Sequence, residues 1–118
     1  MGRNIIFENE VLKELKRQKD FGGIVLFVLE HASYLKEYHH YPEKIVDDIE
    51  SQYRQVADSI IGRGLRDDPK MVVKFRKFSV IAICALEYCR PDFPEGQEWR
   101  LYYKEEFEKN LKSEKWSA

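Results

Sequence analysis

Lys70, Lys74 and Lys77 fall on one face of a helical pattern that opens with Asp67-Asp68-Pro69, and Arg76 lies beside them. Exposed cations at a helix N-terminus oppose the macrodipole by up to about 1 kcal/mol each. Three of them in the first turns therefore call for a compensating negative charge. The unpaired N–H groups of the same turn also attract anions, so this turn is the leading candidate for holding a phosphate or a nucleotide. The competing reading is a solvated lysine face neutralised locally by Asp67 and Asp68.

A second chemistry is open to Asp47 and Glu50. Three residues apart on a helix, they can turn two carboxylates toward one divalent cation such as magnesium, as helical bundles do in their metal sites. A complete site needs a second acidic pair on a facing helix, and Glu30, Glu37 and Glu87 are single acids. The alternative is a salt-bridged surface ladder of Glu50, Arg54 and Asp58. His31 falls on the stripe of Val28 and Leu35 and reads as a core or half-core histidine. His39 and His40 are adjacent, so their side chains diverge. Cys84 and Cys89 are five apart, about 140° of helical rotation, which neither bridges them nor fits a Cys-x-x-Cys site. They read as small apolar fillers. Trp99, Tyr102 and Tyr103 offer stacking area for a base, although their helical spacing is that of core residues. The sequence has no glycine-rich phosphate loop, no Ser/His/Asp arrangement and no zinc spacing.

These side chains must be positioned by helices. Val11, Leu12 and Leu15 form a narrow apolar stripe in a first helix over 8–19, which Phe21-Gly22-Gly23 ends. A broadly apolar helix runs from Ile24 to about Tyr38, with a strand at Ile24 to Leu29 or Asn4 to Phe7 as the alternative that β-branching allows. Pro42 opens a third helix, whose seam is Val46, Ile49, Tyr53, Val56 and Ile60. Gly62-Arg63-Gly64 terminates it. Asp68 and Pro69 then start a fourth helix, apolar nearly all round from Phe78 to Leu86 and hence central. After the loop Pro91 to Gly96, a fifth spans about 97–115, with Trp99, Tyr103, Phe107 and Leu111 inward and the pairs Glu105–Lys109 and Glu108–Lys112 outward. The expected fold is all-α, a single-domain bundle of about five helices over 1–118.

Composition narrows the function classes. The chain has 118 residues, 43% of them hydrophobic and 14% aromatic, enough for one core. Twenty basic against 21 acidic side chains give a net charge of -1, which argues against a dedicated nucleic-acid binder. The longest apolar run, Ile24 to Leu29, is too short to span a membrane. Glu8 interrupts the apolar start that a secretory signal needs, so a cytoplasmic location is expected. Charge is nonetheless uneven. Residues 41–68 carry four basic and seven acidic side chains, and residues 69–90 carry five and one. If the third and fourth helices run antiparallel, the acids Glu43, Asp47 and Glu50 lie at the opposite end from the lysines. A two-fold partner would bring the two patches together, so a homodimer or higher even oligomer is expected.

The segment Met71-Val72-Val73-Lys74-Phe75-Arg76-Lys77-Phe78-Ser79-Val80-Ile81-Ala82-Ile83-Cys84-Ala85-Leu86-Glu87 is similar to the last core helix of small MazG-like proteins common in phages. Leu12-Lys13-Glu14-Leu15-Lys16-Arg17-Gln18-Lys19 resembles their charged first helix. Together the two segments make up 25 of the chain's 118 residues. The resemblance implies an all-α nucleoside triphosphate pyrophosphohydrolase that binds magnesium through E-x-x-E and E-x-x-D motifs. The nearest matches to the first motif are Gln52-Tyr53-Arg54-Gln55 and Asp47-Asp48-Ile49-Glu50, while Arg76 and Lys77 stand where the second is expected. With those acids largely replaced, the expected function is a non-catalytic helical binding protein of the ligand-sequestering or inhibitor type, taking an anionic or nucleotide ligand or a protein target, without a cofactor. The alternatives are a divergent magnesium-dependent pyrophosphohydrolase using Asp47 and Glu50, and a structural or regulatory subunit of a larger assembly.

Overall fold

A computed structural model describes residues 2–38, 41–89 and 97–117. It contains helices α1 (Ile5–Lys16), α2 (Phe21–Tyr38), α3 (Glu43–Gly62), α4 (Pro69–Glu87) and α5 (Gln97–Lys109), and a closing 3-10 turn at Ser113–Trp116. No strand forms among the described residues, so both stretches that β-branching left open are helical or cap a helix. His39, His40 and the loop Pro91 to Gly96 lie outside the described residues.

Local chemistry explains where the helices start and stop, and it corrects several of the expected bounds. Helix α1 begins at Ile5 rather than near Glu8, because Asn4 Oδ1 accepts from the Phe7 N–H at 3.1 Å and serves as N-cap. The Phe21-Gly22-Gly23 run opens α2 instead of ending α1. Asp20 Oδ1 accepts from the Gly23 N–H at 2.7 Å, and a Cβ on Gly23 would sit 3.2 Å from that same oxygen and 3.1 Å from Gln18 Oε1. Glycine there leaves room for the capping carboxylate. Helix α5 stops at Lys109, where Asn110 Nδ2 donates back to the Glu106 carbonyl at 2.7 Å. Helix α1 also ends at Lys16, short of the expected residue 19, and Pro42 caps α3 from one residue outside it. Asp68 caps α4 with Pro69 at its first position. Gly64, at φ 71°, ends α3 in a Schellman arrangement, with Leu65 N–H on Ile60 O at 3.1 Å and Gly64 N–H on Ile61 O at 3.0 Å.

Helix α4 is the axis of the bundle, packing against all four other helices. Its partners' directions follow from contacts at its two ends. Phe21 stacks on Phe75 at 4.5 Å and His31 meets Glu87 at 3.0 Å, so α2 runs parallel to α4. The Tyr41 hydroxyl donates to Glu87 O while Tyr53 reaches Ser79, so α3 is antiparallel. Tyr88 against Trp99 and Phe78 against Phe107 make α5 antiparallel as well. So is α1, with Phe7 on Tyr88 and Leu15 O on Arg76.

At the centre lies an aromatic cluster. Phe75, Phe78, Tyr53, Phe107 and Trp116 are all buried. Trp116 comes from the 3-10 turn, meets Phe78 at 5.0 Å and donates its indole N–H to Asn110 O at 2.8 Å. Ser79, the polar exception in α4, gives its proton to Phe75 O at 2.9 Å and accepts from the Tyr53 hydroxyl at 2.7 Å. The core thus absorbs two hydroxyls without leaving either unpaired.

Candidate functional site

Two of the four predicted ligand-binding cations come together in a groove of about 410 Å³. Lys74 and Lys77 of α4 face Arg3, Asn9 and Leu12 across it, with Asn110 beyond the end of α5 and Phe78, Val80 and Ile81 toward the floor. Among the described residues neither lysine has a carboxylate within ion-pair distance. Lys74 instead lies 5.3 Å over the Trp116 ring, a contact worth roughly 0.5–1 kcal/mol when exposed. The ring holds the ammonium over the groove without neutralising it.

The other two predicted cations are placed differently. Arg76 is half-buried and turned to α1, donating to Leu15 O at 3.3 Å and Gln18 O at 3.1 Å, so it closes the C-terminal end of that helix. Lys70 is exposed at the first turn, outside the groove lining. Its backbone N–H is taken by Asp68 Oδ1 at 3.3 Å, and Asp67 meets Arg66. Neither aspartate side chain neutralises a lysine. The helix start supplies its own capping anion, and the uncompensated positive charge lies one to two turns further along α4.

One wall of the groove carries a network that sequence reading missed. The Glu8 carboxylate is buried, gripped by Arg3 through Nε at 2.8 Å and Nη2 at 3.0 Å, and it accepts from the Tyr103 hydroxyl. Asn4 ties the same corner down, its N–H donating to the Tyr103 oxygen and its Nδ2 to the Tyr88 oxygen, both at 2.9 Å. The Arg3 proton is held more firmly than on a free guanidinium, first by the hydrogen bond to Glu8 and then by its charge. Burial pushes the Tyr103 hydroxyl above its ordinary value, and donation to Glu8 pushes it further the same way. The signal was present in Asn4 as a helix cap and in Glu8 one turn on. A helix started at Glu8 hides both.

The acids singled out for a metal converge on a lysine. Lys36 Nζ of α2 is 2.7 Å from Asp47 Oδ1 and 3.9 Å from Glu50 Oε1. Its pKa is raised, chiefly by the hydrogen bond to Asp47. Among the described residues no group of three or more His, Cys, Asp and Glu side chains is arranged to hold a metal ion. The acidic start of α3 therefore finds a partner within the chain. That removes part of the ground for a two-fold contact with the lysines of a second copy. His31 is half-buried and pairs with Glu87 across α2 and α4. Cys84 and Cys89 are free and buried, and burial raises both thiols, Cys89 to about 12.

A second cavity, of about 240 Å³, opens between α3 and α5 above α4. Ala85, Cys89 and Phe107 line its apolar part, Ile45, Asp48, Ile49 and Gln52 come from α3, and Arg100, Lys104 and Glu108 come from α5. No described helix is long and apolar enough to cross a membrane. No family model matches the chain, and neither a curated protein nor a solved structure does.

Proposed function

We propose that this protein is a non-catalytic binding protein that holds a phosphate-bearing ligand of the nucleotide class in the groove between α1, α4 and α5. The observation that carries this reading is the convergence of Arg3, Lys74 and Lys77 on one groove, with both lysines lacking a carboxylate partner among the described residues. Two amide side chains, Asn9 and Asn110, add neutral donors and acceptors at either end. Lysines act here as point charges for phosphate oxygens, and the fixed Arg3 fork sets the groove's edge. The one carboxylate in the described lining, Glu8, already accepts from Arg3 and Tyr103 and is poorly placed to serve as a base. That favours binding over turnover.

Titration calorimetry of the full chain with nucleoside mono- and triphosphates, with and without magnesium, tests the reading. Saturable binding with no product formed in either condition is the expected outcome. Magnesium-dependent release of pyrophosphate would overturn it in favour of the hydrolase alternative.

A further inference from the structure

The cleft between α3 and α5 has a different charge balance and no part in the reading above. Arg100 is half-buried, yet among the described residues it has no hydrogen-bond acceptor and no ion pair. Its guanidinium offers five donors in a planar fork that matches a carboxylate. Lys104, one helical turn on, is likewise without a carboxylate partner among the described residues. Across the cleft stands Asp48, whose contact with Lys44 is a solvent-exposed one at 3.3 Å, and Glu108 lies on the rim. Among the described residues two cations stand against two carboxylates, a neutral but polarised lining, and Ala85, Cys89 and Phe107 make the floor apolar.

We propose that this cleft binds a small zwitterion with an apolar body, of the class of the apolar α-amino acids. The ligand's carboxylate takes the Arg100 fork with Lys104 beside it, its ammonium faces Asp48, and its side chain covers the floor. A multiply charged phosphate is disfavoured there by Asp48 and Glu108. The volume, about 240 Å³, is below the usual range for drug-sized ligands and suits a molecule of few heavy atoms.

Calorimetry of the full chain with L-leucine and L-phenylalanine, alongside phenethylamine and 3-phenylpropionate, decides the matter. The expected result is saturable binding of at least one of the two amino acids, with each phenylalanine analogue weaker than phenylalanine itself. Arg100→Gln should weaken binding about tenfold or more while circular dichroism stays unchanged. Amide chemical shifts of Ile49, Ala85 and Cys89 should move on titration, which reads the site directly even if that variant folds poorly. No saturable binding at millimolar amino acid, equal affinity for phenethylamine, or shifts confined to the Lys74 and Lys77 groove would overturn the proposal.

Discussion

The groove and the cleft lie back to back, and they differ in charge rather than in wall material. Phe78 lies toward the floor of the groove and Phe107 forms part of the cleft floor, and the two rings stack at 5.3 Å and 14° between planes. Among the described residues, three cations meet one carboxylate on one side of this partition, for a net +2, and two cations meet two carboxylates on the other. The same α4–α5 core therefore presents a net positive lining on one side and a balanced one on the other. The difference arises from what each cation faces. Arg3 is tied to a buried acid, Lys74 rests on an aromatic face, and Arg100 meets neither.

Removing the partition has the largest expected effect. Phe107→Ala deletes a ring that is 2% exposed and should cost about 3–5 kcal/mol, read as a lower urea midpoint at unchanged slope. Ligand binding on both sides should weaken with it. A loss confined to one side would show that the two cavities are mechanically independent.

Glu8→Gln separates structure from charge on the groove side alone. It breaks the pair with Arg3, whose side chain is 52% exposed, so a cost of about 2 kcal/mol is expected, below that of a fully buried pair. The same change raises the groove from +2 to +3. Thermal denaturation should show the loss, while affinity for a triphosphate rises. A stable variant with weaker binding would contradict both halves.

Alkaline titration has a smaller expected effect, and it discriminates through Cys89. Its thiol, ordinarily at 9.0, is pushed up to about 12 by burial in the cleft floor. A group raised on folding contributes stability that is present below its unfolded value and lost as pH climbs toward its folded one. The urea midpoint should therefore fall from about pH 9 upward, and Cys89→Ala should flatten part of that fall. Among the described residues, Tyr53, Tyr88, Tyr103, Cys84 and Lys36 are raised in the same direction and contribute to the remainder.

Helix number and the central place of α4 were legible because Phe75, Phe78, Ala82 and Ala85 repeat at helical spacing and the Asp68-Pro69 start is chemically unambiguous. The termini were not. Gly22 and Gly23 read as a break because the close fit of the Asp20 cap is a three-dimensional fact. Asn110 ends α5 and lets Trp116 return to the core, which periodicity through Leu111 conceals. Lys109 accordingly pairs with Glu106 and not with Glu105. Lys74 and Lys77 were legible as neighbours on one positively charged face, and both line the same groove. Arg76 was misread because its partners are the carbonyls of a helix end 58–61 residues away. That Arg3 and Arg100 line the two cavities could not be read from the sequence, because neither belongs to a motif.

The most direct measurement is titration of the wild-type chain and the Lys74→Glu/Lys77→Glu variant with one nucleoside triphosphate across a range of ionic strength. Reversing both charges should abolish saturable binding while lowering the melting temperature by only a few degrees, because both side chains are exposed and only the Lys74 contact with the Trp116 ring is lost. Wild-type affinity should fall as salt rises. Equal affinity of the two proteins for the triphosphate at low salt would place any anion site away from this groove.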